Sequence, residues 1–162
     1  MNVGVGGGTE LEPAIILLDE HTDQATKQML QNVIVRKRKF DKAKRNHELS
    51  IWASMGMAAI LLLYLYFYIA RPYSFSFFAM FSAFVDNFNH FFFLVTTIGL
   101  YGLMIMLKQK RDKAETEFHG LRCEIIDRSK DLWKQEAQWK NRHKVFEMMK
   151  NNYDINLYHE NK

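Results

Sequence analysis

The groups in this chain that could hold a metal, move a proton or attack a substrate are six histidines, one cysteine and eighteen carboxylates. Of these, Asp86 and His90 stand together in otherwise apolar sequence, among Asn87 and Asn89. Four residues apart, they would share a helix face and could form a proton or metal site. A metal usually asks for three or four ligands, so the favoured reading is plainer: the water-facing outer mouth of a membrane span. His21, His47, His119, His143 and His159 are scattered through hydrophilic sequence and read as solvated helix residues. Cys123 lies between Arg122 and Glu124, whose opposite charges offset one another as activators of a thiol. Gly4, Gly6, Gly7 and Gly8 suggest a phosphate loop, but no Lys-Ser/Thr follows and no strand precedes. There is no His-Glu-x-x-His, Cys-x-x-Cys or Gly-x-Ser-x-Gly. The expectation is therefore a protein that is not an enzyme and that carries neither cofactor nor metal.

The elements around these residues are segregated by polarity. A mean hydropathy of −0.25 looks soluble, yet 49–70 is a run of 22 residues without a charge and 87–107 another of 21. Of the 22 Lys and Arg, 21 lie outside 49–107, as do 17 of the 18 Asp and Glu. A soluble core mixes apolar and charged positions along each element, so this pattern excludes one. It also excludes a wholly disordered chain, and a single cysteine excludes a disulfide-stapled domain. At ~1.5 Å per residue, 49–70 reaches about 33 Å and 88–107 about 30 Å, which matches the ~30 Å of a bilayer's hydrocarbon. Nine Leu, Ile and Phe residues in the first run favour insertion by about 4 kcal/mol in sum. The second, with Asn89, His90, Thr96 and Thr97, is the weaker insertion signal.

Flanking charge gives the orientation. Seven basic residues (Arg36, Lys37, Arg38, Lys39, Lys42, Lys44, Arg45) precede the first run, and Lys108, Lys110, Arg111 and Lys113 follow the second. The connection carries Arg71 alone. Both termini are expected in the cytosol. The same clusters face an anionic inner leaflet, so Arg36, Lys37, Arg38, Lys39, Lys42, Lys44, Arg45, Lys108, Lys110 and Arg111 are expected to contact its lipids at about 1 kcal/mol each. That role accounts for the basic charge without nucleic acid as a partner. The apolar run 14–18 follows Glu10 and Glu12 instead of a basic region, so the first span is expected to be an uncleaved anchor.

The fold class is thus an all-α integral membrane protein: a two-span transmembrane helical hairpin with long cytosolic N- and C-terminal helices. Residues 1–21 read as a flexible acidic tail and 22–48 as a basic helix and stalk. The spans are 49–70 and 88–107, joined by an aromatic, interfacial connection over 71–87, and 108–152 is an amphipathic helix followed by a tail, 153–162. Pro72 disfavours helix at Arg71, which ends the first span. Phe77, Phe81, Phe84 and Phe88 recur at helical spacing, predicting a short amphipathic helix at the outer interface and a turn near 86–89. In the carboxy-terminal part, Phe118, Ile125, Leu132, Trp139 and Phe146 repeat every seven residues. The companion positions Leu121, Arg128, Gln135, Arg142 and Met149 are apolar only at the ends, so a coiled-coil seam is incomplete. Ile126 and Trp133 widen the stripe. Self-association, packing against residues 22–45 and binding to a membrane surface all suit it.

The stretch LWKQEAQWKNRHKVFEMMK at 132–150, behind a two-span hairpin, resembles the YpbF-type small membrane proteins of Bacillus-like bacteria. The resemblance covers about residues 25–155. It implies a bacterial plasma membrane and carries over no catalytic or binding residue. The expected function is that of a membrane-anchored interaction or scaffold protein, whose cytosolic helix meets a second copy or another protein. The alternative is a component of a small oligomeric channel or transporter with Asp86 and His90 at its mouth.

Overall fold

A computed structural model describes residues 11–18 and 22–158. Every regular element among them is helical: α1 Pro13–Ile16, α2 Gln24–Leu65 with a π-helical turn Tyr66–Ala70 at its end, α3 Phe77–Val85, α4 Phe88–Asp127, α5 Ser129–Leu132 and α6 Glu136–Tyr153. They form two compact units. One combines the described residues up to Asp41 with those from Ala114 onward; the other is Lys42–Lys113. The helices α2 and α4 each supply a segment to both. The glycine-rich stretch 4–8, His21, His159 and most of the expected acidic tail lie outside the described residues.

In the first unit, Asp23 starts α2 by accepting the Thr26 N–H at 2.7 Å, which satisfies one of the free donors of a first turn. Leu30, Val33 and Ile34 follow at helical spacing and are fully buried. With Phe118, Ile125, Trp133, Val145, Phe146 and Met149 they make one core. Residues 11–18, read from sequence as part of a flexible tail, belong to it as well. Ile15 is wholly buried, the Glu12 N–H donates to Gln31 Oε1 at 2.9 Å, and Lys27 Nζ donates to the Leu18 carbonyl at 2.8 Å. At the other end, Asp154 takes a left-handed φ of 56° and closes α6. Its N–H donates to Lys150 O at 3.0 Å, and the Ile155 N–H to Met149 O at 3.1 Å. That turn sends Ile155 and Leu157 into the core.

The stretch expected as a single helix over 108–152 is in three pieces. The break after Asp127 is a turn at Arg128 (φ −84°, ψ 7°), and Trp133 (φ −124°, ψ 64°) leaves helical geometry altogether. Gln135 and Gln138 then cap α6 reciprocally, the Gln135 N–H donating to Gln138 Oε1 at 3.3 Å. A buried indole at Trp133 accompanies the second break: where the chain leaves helical geometry, this side chain enters the core.

In the second unit, His47, Ser50, Ser54 and Leu61 recur three, four and seven residues apart and are the buried positions of α2 there. Ser54 Oγ donates to the Leu100 carbonyl of α4 at 3.2 Å, so this face meets α4. The hydroxyls of Ser50, Thr96 and Thr97 donate to carbonyls of their own helices at 2.7–2.8 Å. Trp52, Leu62 and Leu63 point outward. At the end of α2 the helix widens, with the Arg71 N–H donating five residues back to Tyr66 O at 2.9 Å. Regular helix ends at Ala70, but Arg71 itself keeps αR dihedrals (φ −68°, ψ −49°). The wide turn holds it there despite Pro72.

Candidate functional site

Of the seven stripe residues, Phe118, Ile125, Phe146 and Met149 are buried in the first unit's core, and Leu121 and Leu132 pack against it. Their neighbours include α2: the Phe40 and Phe118 rings lie parallel with centroids 6.1 Å apart. Trp139 is different. It is 39% exposed, and the Arg142 guanidinium lies 3.6 Å over its ring. The buried face of α6 is centred between Val145 and Met149, with Phe146 toward its edge. A seven-residue step drifts about 20° around a straight helix, which carries Trp139 beyond that edge. Trp133, a flanking residue in the repeat, is instead the largest fully buried side chain and meets Phe146 edge-on, centroids 5.6 Å apart. A seven-residue count run across two helix breaks could not rank these two tryptophans. Lys130 and Lys134 stand beside Trp139 and line an open cleft with it.

The basic residues divide into two groups. Arg36 and Lys39 both pair with Glu117, the latter at 3.0 Å. Lys37 reaches Asp41 at 3.1 Å and Asp154 at 3.5 Å. Arg38 meets Glu12 at 2.6 Å, and this hydrogen bond pushes the guanidinium pKa above its already high ordinary value. Burial, with the Glu12 charge nearby, raises the Tyr153 phenol in the same neighbourhood. All four cations belong to the first unit. In the second unit, Lys42, Lys44, Arg45, Lys108 and Lys110 are exposed and have no acidic partner within ion-pair distance among the described residues. Arg111 pairs with Asp112 at 2.7 Å. Sequence spacing gave one continuous cluster; tertiary pairing splits it at Asp41.

Asp86 and His90 do not share a helix face. Asp86 is the exposed C-cap of α3, its N–H donating to Ser82 O at 2.9 Å, and His90 lies in the first turn of α4 beyond Asn87. The imidazole is 4% exposed. With its proton on Nδ1 it donates to the Phe84 carbonyl at 3.0 Å. The Phe84 ring stacks on one side of it and Tyr64 sits on another, centroids 5.6 and 5.4 Å away. Among the described residues, no three His, Cys, Asp or Glu side chains gather as a metal site would require.

These features define an all-helical protein with one unit built around its own core and another built on two long, outwardly apolar helices. The chain belongs to the DUF2663 family, proteins of unknown function, whose model matches residues 29–160. It is similar to the uncharacterized protein YpbF of Bacillus subtilis (strain 168), with 39% identity over 145 residues, 90% of this chain and 95% of that protein. No solved structure matches the chain.

Proposed function

We propose that the second unit crosses the plasma membrane as a two-span hairpin with both termini in the cytosol, and that it anchors the first unit as a non-enzymatic interaction module. The observation that carries this reading is the exposure of the apolar helices. In the most apolar windows of the two, only 11% and 6% of residues are buried, whereas a core helix of a soluble protein is covered by its own chain. Lipid is the cover such a surface asks for. The serine and threonine hydroxyls satisfied inside the hairpin fit the same environment, since a polar group without a partner is costly in hydrocarbon. The unpaired cations at 42–45 and 108–110, against Arg71 in the connection, support the cytosolic placement of the chain ends.

On this reading the seven-residue stripe mainly builds the module's core, and what remains for a partner is the Trp139–Arg142 surface with Lys130 and Lys134. An exposed tryptophan and an arginine are the residue types that anchor interfaces. Three measurements on the intact protein in its own membrane test the proposal. It should stay in the membrane pellet after an alkaline carbonate wash, and with Cys123→Ser in place, Ser74→Cys should react with an impermeant maleimide from outside. Release into the supernatant, or labelling only after permeabilisation, overturns the topology. Trp139→Glu should abolish crosslinked partners while leaving the membrane fraction unchanged; crosslinks that persist overturn the interaction surface.

A further inference from the structure

On the hairpin reading above, we infer that α3 is a lipid-binding plank embedded in the outer leaflet at the headgroup–acyl boundary, with His90 as the residue that positions it. The helix is nine residues long and contains no buried residue. Phe75 just before it and Phe77, Phe78 and Phe81 within it are 60–81% exposed, and Val85 is half exposed. No charge stands between Arg71 and Asp86. A surface this aromatic needs a cover, and the phospholipid interface is the occupant the observations favour. The plank joins two apolar helices whose own outward faces call for lipid, through Arg71–Ser76 at one end and only Asp86–Asn87 at the other. Aromatic side chains favour that depth, and a helix of this kind sits about 5–10 Å into the boundary.

What fixes the plank is local. The Ser76 hydroxyl accepts the Ala79 N–H at 3.4 Å and starts the helix. At the other end His90 donates to the carbonyl of Phe84, a last-turn acceptor with no partner inside the helix. The stacked Phe84 ring and Tyr64 enclose the imidazole, so α3 is clasped to the start of α4 and to α2 by one side chain. Asn at this position places an amide N–H where Nδ1–H stands; Phe keeps a ring and loses the donor.

The full-length protein, with Cys123→Ser, is reconstituted in phosphatidylcholine–phosphatidylglycerol vesicles and labelled with an environment-sensitive fluorophore at Phe78→Cys or, as a control for the span, at Leu62→Cys. The Phe78 site should emit blue-shifted light, resist aqueous iodide and lose more emission to lipid brominated near the headgroup than near the chain terminus. The Leu62 site should show the reverse lipid preference. His90→Asn should keep the Phe78 profile, and His90→Phe should lose its depth preference. Quenching of Phe78 by iodide while Leu62 stays lipid-quenched overturns the plank and leaves the hairpin standing. Protection of Phe78 from iodide and from both lipids means that a second copy covers it, and overturns the plank too. Iodide quenching at Leu62 removes the hairpin and the plank together. A His90→Phe profile equal to the parent's overturns the positioning role.

Discussion

Trp133 and Asp23 illustrate how much single side chains decide in the first unit. Trp133 has 2% of its surface exposed, so Trp133→Ala should cost about 3–5 kcal/mol, the range for emptying a large aromatic site. Trp133→Phe should cost clearly less, because it keeps most of the volume. Thermal unfolding in detergent, followed by near-ultraviolet circular dichroism, ranks the two; equal losses would mean that the indole is not packed as described. Asp23 acts at the start of α2. The Thr26 hydroxyl and backbone N–H both face its carboxylate and hold its pKa below the ordinary value, the N–H being the contact with hydrogen-bond geometry. A carboxyl lowered on folding contributes stability that is complete above the unfolded pKa, about 4, and disappears as pH falls through the folded value. Asp23→Ala should cost about 1 kcal/mol at neutral pH. Asp23→Asn should lose less stability than the parent as pH drops below about 4, since an amide caps without ionising.

At the scale of elements, the helix ends carry the argument. Asp154 is the one non-glycine residue with positive φ among those described, a conformation in which a side chain costs free energy that glycine avoids. Its carboxylate meets Lys37 at 3.5 Å but is 94% exposed, and such pairs contribute little. Asp154→Gly should therefore stabilise the fold, by up to about 1 kcal/mol after the extra freedom of glycine in the unfolded chain is counted, and raise the unfolding midpoint. A lower midpoint would show that the Lys37 contact outweighs the backbone. The turn at Asp154 also explains why the chain's last described residues are structural: it redirects the chain at the end of α6 so that Ile155 and Leu157 enter the core. The short aromatic helix and the turn after it were legible in the phenylalanine spacing and in Asp86–Asn87. The wide turn at Tyr66–Ala70 was not, because nothing in a run of aromatic and aliphatic residues distinguishes a five-residue hydrogen bond from a four-residue one.

At the scale of the whole molecule, charge separates the two units. The second unit holds eight basic and three acidic residues, and its cations at 42–45 and 108–110 have no ion-pair partner among the described residues; on the proposed hairpin reading they face headgroup phosphates. Each basic residue close to an anionic leaflet contributes about 1 kcal/mol. Adding phosphatidylglycerol to neutral micelles should raise the melting temperature of the intact protein. Replacing Lys42, Lys44 and Arg45 together by Gln should remove most of that rise, while Arg36→Gln with Lys39→Gln should keep it and lower only the starting value. The opposite pattern would return the upstream cations to the lipid and contradict their pairing with Glu117.

Hydropathy and charge order alone determined that the chain is helical, that it carries two runs long enough to span a bilayer and that basic residues bracket them, because these properties depend on composition along the chain and not on what touches what. Period alone also marked most of the stripe residues as apolar partners of something. Only the tertiary structure decided what that something is: breaks at Arg128 and Trp133 reset the helical phase, bury Trp133 and leave Trp139 at the rim. It decided equally which cations are taken by Glu12, Asp41, Glu117 and Asp154, since an ion pair between residues some eighty positions apart leaves no mark in local sequence.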